Sequence, residues 1–175
     1  MNTATSVATA DAPAEAFVTR GSIPHGPGVP AAIATEPLVR VLLIEDNQEE
    51  MLLVHYTLEE FGQGRYDLEW SSRLSDGLDR LRDGGIDVVL LDLGLPECEG
   101  PISYVALRNT APNVPAIVLT GDGREQTERL VMNYGAEDYL VKDEVSGLQL
   151  VRAIRSALYR QKTRIEKDAV VAALA

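Results

Sequence analysis

The sequence predicts an α/β fold, a doubly wound five-stranded parallel sheet with helices on both faces. Three observations carry that expectation. Short runs rich in branched apolar residues recur between residues 39 and 141, and such unbroken runs suit strands buried on both faces. Stretches with apolar residues at helical spacing lie between them. Glycine closes most of those helical stretches.

Each element follows from its own residues. Residues 39–44 are apolar apart from Arg40, and residues 86–91 apart from Asp87. Residues 114–119 and 138–141 complete the central strands, while residues 66–70 alternate and suit an edge. The first helix is expected over residues 47–61, with Met51, Leu52, Val54, Leu58 and Phe61 at helical spacing and Gly62 at its end. The second is expected over residues 73–83, closed by Gly84 and Gly85, and two more over 101–109 and 124–134. A fifth starts near Val145 and runs long. Parallel strands need right-handed crossovers, so the helices must cover both faces. The expected strand order is the flavodoxin-like 2-1-3-4-5.

The 175 residues fit one domain with tails. Residues 1–37 are dominated by Ala, Thr, Pro and Gly, a composition that cannot bury enough apolar surface to offset its ordering entropy. They are expected to be a disordered N-terminal tail, with the domain proper over residues 38–160 and a C-terminal helical extension over residues 161–175. No apolar run approaches the length of a membrane span, and the first residues lack a secretory pattern. Cys98 is the only cysteine, so no internal disulfide can form, which suits a reducing compartment. The expected location is cytoplasmic.

The net charge is −11. It concentrates in residues 38–144, which carry 22 acids against nine bases, whereas residues 145–175 carry two acids and six bases. An acidic body repels a phosphate backbone, so a nucleic-acid partner is not expected. It is also compatible with a cation held among carboxylates.

Ligands of open α/β sheets bind beyond the carboxyl ends of the strands. Those ends are chemically rich here. Glu45 and Asp46 follow the first run, Asp92 ends the third, Thr120 ends the fourth and Lys142 follows the fifth. Three carboxylates at one rim repel one another unless a cation sits between them. Mg²⁺ takes oxygen ligands and often bridges to phosphate. One acid is surplus to metal binding and can act as a nucleophile toward phosphorus, with Asp92 best placed. A lysine and a hydroxyl suit the charge on a transferring phosphoryl group. Taken singly, each residue has a plainer role: Asp46 or Asn47 can cap the first helix, Asp92 can serve a turn, and Lys142 can be a surface lysine. Their joint occurrence in one order at successive strand ends is what those roles do not explain.

Residues 38–160 resemble the receiver domain of two-component response regulators, the CheY-like family. The resemblance rests on the segments around Glu45-Asp46-Asn47, Asp92 through Pro96, Thr120-Gly121 and Tyr139 through Lys142. It implies that Asp92 is the phosphoacceptor. It further implies that Asp46, Asp92 and the Gly94 carbonyl bind Mg²⁺ directly, with Glu45 reaching the metal through water. Lys142 would pair with phosphoryl oxygens, Thr120 would move to bond them, and Tyr139 would be an aromatic switch filling the space Thr120 vacates. The implied donor is a sensor histidine kinase or phosphotransfer protein. The implied output is a downstream protein bound on the face of the fourth helix, fifth strand and fifth helix. Apart from its own phosphotransfer and dephosphorylation, such a domain is not an enzyme.

Three residues depart from the family's pattern. Asp143 stands where many receivers have proline, Gly94 offers no side chain two residues past Asp92, and Asp122 lies two past Thr120. His55 and Cys98 carry no expected role. Val151, Leu158, Ile165 and Ala172 recur every seven residues, fewer good heptads than a coiled coil normally shows. Three readings of residues 161–175 stay open: a frayed terminal helix, a homodimerisation helix, or the stub of a linker. The chain is expected to act as a stand-alone receiver, the competing function being a phosphate-independent scaffold.

Overall fold

A computed structural model describes residues 37–175. The expected tail, except Pro37, lies outside the described residues. Five strands alternate with five helices: β1 (Val39–Ile44), α1 (Gln48–Gly62), β2 (Tyr66–Ser71), α2 (Leu74–Arg82), β3 (Val88–Asp92), α3 (Pro101–Thr110), β4 (Ala116–Thr120), α4 (Glu125–Asn133), β5 (Asp138–Val141) and α5 (Gly147–Leu174). All pairings are parallel and the order is β2-β1-β3-β4-β5, as the sequence predicts.

The period of two survives inside the continuous apolar strands. In β3, Val89 and Leu91 enter the layer under α2, α3 and α4, with Leu81, Leu107 and Val131. Val88 and Leu90 enter the opposite layer under α1 and α5, with Met51, Leu58 and Ile154. All five β3 residues are buried, whereas most of β2 is only half-buried, as an edge strand should be.

Helix ends follow local chemistry. Asn47 caps α1: its Oδ1 accepts the amide protons of Glu49 at 2.8 Å and Glu50 at 3.3 Å. Gly62 does not stop α1 in the expected way. It is the last helical residue, and Gln63 adopts the left-handed cap at φ 55°. Gly62 is small for another reason, because a Cβ there would collide with the Tyr66 ring. Ser146 and Gln149 form a reciprocal capping box at the start of α5.

With 28 residues, α5 spans about 42 Å. Its buried face ends near Ala157, but polar contacts continue. Arg160 and Arg164 both engage the Glu137 carboxylate, which is 5% exposed. Beyond Arg164 every residue is exposed, Ile165, Val170, Val171 and Leu174 included. Among the described residues no helix is long and apolar enough to cross a membrane.

Candidate functional site

The sheet register aligns the carboxyl ends of four strands. Ile44 pairs with Leu91, Asp92 with Leu119, and Thr120 with Val141, so Glu45, Asp92, Thr120 and Lys142 leave the sheet at one rim. Two backbone bonds fix that rim: the Glu45 amide donates to the Ser71 carbonyl at 3.0 Å, and the Lys142 amide to the Thr120 carbonyl at 2.8 Å.

Asp92 sits at the centre, 4% exposed. Its Oδ1 lies 3.0 Å from Lys142 Nζ, and its Oδ2 accepts the Gly94 amide proton at 3.0 Å. A Cβ at Gly94 would stand 3.1 Å from that Oδ2, so the missing side chain keeps the loop close to the carboxylate. Glu45 is 2% exposed. Its Oε2 accepts from Lys142 Nζ at 2.6 Å, and its Oε1 from the Asn47 amide at 3.1 Å. Asp46 is exposed. One oxygen each from Glu45, Asp46 and Asp92 fit within 4.8 Å of one another.

This donor set fits a hard divalent cation. Three carboxylates converge, two of them almost wholly buried, and Lys142 contributes one positive charge against them. Burial pushes the Glu45 pKa up to about 7; the hydrogen bond from Lys142 opposes the rise and the charge of Asp92 adds to it. Burial alone would lower the Lys142 pKa, yet the hydrogen bonds to Glu45 and Glu50 and the charge of Asp92 hold it above its ordinary range. The amine is therefore an ammonium throughout the neutral range.

Thr120 and Tyr139 meet at one acceptor. Thr120 Oγ1 donates to the Asp122 carbonyl at 3.1 Å and accepts the Asp122 amide proton at 3.2 Å. The Tyr139 hydroxyl donates to the same carbonyl at 2.8 Å. The Tyr139 ring is already inside, 9% exposed, with its hydroxyl pKa raised by burial. The switch expected from the sequence starts here from an inward ring. The Asp122 carboxylate turns away to an ion pair with Arg124. Beside these residues an open cleft of about 470 Å³ runs between the loops after β3 and β4, lined by Gly94, Thr120, Asp122 and Arg124.

Two residues at the site escaped the sequence reading. Glu50, on the first turn of α1, accepts a hydrogen bond from Lys142 Nζ across 92 positions of sequence. Trp70, the only tryptophan, donates its indole N–H to the Glu45 carbonyl at 2.6 Å. Acidic residues early in a helix usually serve its dipole, and nothing local marked either side chain as belonging to the site. His55 instead pairs with Glu59 on α1, and Cys98 packs half-buried against the core on the α2–α4 face. No described peptide bond is cis, so the Lys142–Asp143 bond is trans.

Residues 41–155 match the model of the response regulator receiver domain family. The chain is 35% identical over 106 residues to the swarming motility regulation protein RssB of Serratia marcescens, covering 59% of this chain and 46% of that protein. It is 35% identical over 121 residues to the transcriptional regulatory protein CpxR of Escherichia coli, covering 69% and 50%. A receiver domain protein from Clostridium thermocellum superposes with a TM-score of 0.65 at 29% identity, over 72% of this chain and 98% of that one. The chain belongs to the response regulator receiver domain family of two-component signalling. Taking up a phosphoryl group is the general function of such domains, and magnesium binding is typical of them. The chain spans about half the length of these two curated relatives.

Proposed function

We propose that Asp92 accepts a phosphoryl group from the phosphohistidine of a sensor histidine kinase or phosphotransfer protein. The observation that carries this is the setting of Asp92: a buried carboxylate 3.0 Å from an ammonium and within reach of two further acids. In the reaction an Asp92 oxygen attacks phosphorus and the P–N bond breaks. The imidazole leaves with the electron pair, and an aspartyl phosphate remains. Lys142 offers N–H donors to the phosphoryl oxygens, and Thr120 turns its hydroxyl from the Asp122 carbonyl toward them. Asp46, Asp92 and the Gly94 carbonyl would hold Mg²⁺, with Glu45 behind them through water. The ion supplies charge neutralisation at the equatorial oxygens. Water later attacks phosphorus, the P–O bond to Asp92 breaks, and the carboxylate and inorganic phosphate are regenerated.

Signalling then runs through protein contact on the face of α4, β5 and α5, with the Thr120–Asp122–Tyr139 cluster as the relay. The receiver works in the cytoplasm and signals through protein contact rather than through a nucleic-acid or membrane partner. The exposed end of α5 pairs two copies; sedimentation with and without a phosphoryl mimic tests that pairing.

Intact-mass measurement after incubation with Mg²⁺ and a small phosphodonor tests the central claim. One phosphoryl increment is expected in the wild type and none in Asp92→Asn. No increment from either a small donor or a cognate kinase would favour the scaffold.

A further inference from the structure

Lys142 Nζ has three hydrogens and three carboxylate partners: Glu45 Oε2 at 2.6 Å, Asp92 Oδ1 at 3.0 Å, and Glu50 Oε2. An ammonium donates three hydrogen bonds and no more. Two of those contacts are hydrogen bonds, to Glu45 and Glu50, while the contact with Asp92 is an ion pair. A phosphoryl oxygen can take more than the one remaining donor only if Glu45 or Glu50 yields.

The three partners differ in how easily they let go. Glu45 is 2% exposed, with its second oxygen on the Asn47 amide and its carbonyl on Trp70. Asp92 is the group that reacts. Glu50 has a side chain 40% exposed on the first turn of α1, where water can take over its carboxylate at little cost. It is also outside the acidic trio suited to a cation.

We propose that Glu50 is a positioning residue that occupies the phosphoryl place on Lys142 in the resting state and so restrains phosphorylation of Asp92. The inference rests on the function proposed above. Glu50 competes with the incoming anion in two ways. It holds one N–H, and its negative charge stands beside the ammonium that the phosphoryl oxygens need. It swings into solvent as the anion binds.

The plainer role for Glu50 is that of an acid stabilising the α1 dipole. Glu49 separates the two. It shares the first turn of α1 but is not among the partners of Lys142. The experiment uses the full chain, with Trp70 fluorescence as reporter of the site. Mg²⁺ alone is titrated first and beryllofluoride second, in wild type, Glu50→Gln, Glu50→Ala, Glu50→Asp and Glu49→Gln. Thermal unfolding is measured on each.

Glu50→Gln and Glu50→Ala are expected to bind beryllofluoride roughly three- to tenfold more tightly than wild type, the order of one charge-assisted hydrogen bond released. Their phosphorylation by acetyl phosphate should quicken by a similar factor, while the Mg²⁺ midpoint moves by less than about twofold on the same scale. Glu50→Asp keeps the charge on a shorter arm and should fall between. Glu49→Gln should match wild type in anion affinity, whatever it does to the melting temperature. Equal or weaker anion binding by both Glu50→Gln and Glu50→Ala overturns the proposal, as does an equal gain in Glu49→Gln. If wild type itself neither binds beryllofluoride nor takes up phosphate, the phosphoacceptor reading fails as well, and the two failures are told apart.

Discussion

Glu45 makes the stability of this protein depend on pH in a direction opposite to that of most paired carboxylates. Its pKa moves from an ordinary 4.5 to about 7 in the folded chain, first because it is buried. Between those values the folded state binds a proton that the unfolded state has lost. Stability therefore falls as pH rises through this window and levels off above it. The gap is about 2.5 pH units, which at about 1.4 kcal/mol per unit amounts to a few kcal/mol. Lys142 is charged in both states across the window, so its own upward shift contributes nothing there. Glu97, whose pKa is lowered by the Ser75 amide and the Arg73 guanidinium, acts in the opposite sense but at lower pH. Urea unfolding of metal-free protein between pH 5 and 8 should show the loss, at constant m value. Glu45→Gln should flatten it, and saturating Mg²⁺ should reverse it by taking over the carboxylate charge. A wild-type profile no steeper than that of Glu45→Gln would refute the burial of an ionisable Glu45 carboxylate at this site.

Other perturbations act on single contacts. Trp70→Phe removes the indole bond to the Glu45 carbonyl and should cost about 1 kcal/mol in urea unfolding; calorimetric Mg²⁺ titration should show weaker binding. Glu137→Gln weakens the grip of Arg160 and Arg164. Because both arginines are about half exposed, the global cost should be only about 1 kcal/mol, and hydrogen exchange should rise from Arg160 onward while the sheet stays protected. Tyr139→Phe deletes the hydroxyl bond to the Asp122 carbonyl. Phosphoryl uptake by Asp92 should persist in that variant, while the change it causes in the amide spectra of α4 and β5 should shrink.

The fold was legible because its signals are local. Strand burial on both faces leaves continuous apolar runs, and helices covering one face leave spaced ones, so all five units appeared in the sequence with ends within a few residues. The site was legible for a related reason: in a parallel sheet the residues after each strand share one rim, so Glu45, Asp92, Thr120 and Lys142 needed no knowledge of side-chain contacts to be grouped. Where the sequence left Asp46 and Asn47 as rival caps, the structure gives the cap to Asn47 and leaves Asp46 with the acidic cluster. What stayed hidden depends on distant pairs. Glu50 meets Lys142 across 92 residues and Trp70 meets Glu45 across 25, and neither side chain carries a local mark of its partner. The grip of Glu137 on α5 is hidden in the same way, spanning 23 and 27 residues.

If Asp92 takes up a phosphoryl group as proposed, the hydroxyl cluster offers a route from it to a surface that Asp92 does not touch. Thr120 and Tyr139 sit on neighbouring strands and share one carbonyl in the loop after β4. That carbonyl has two lone pairs, so both bonds form together. If Thr120 turns toward a phosphoryl group, Tyr139 keeps the carbonyl alone, and the loop loses its second tie to β4. The loop leads directly into α4, whose N-cap Arg124 makes no side-chain bond to the helix and pairs with Asp122 instead. Helix α4 is also short, with Val131 its single buried residue. An element held by so few contacts lies at the low-stability end of the structure, and it is the one placed next to the hydroxyl cluster.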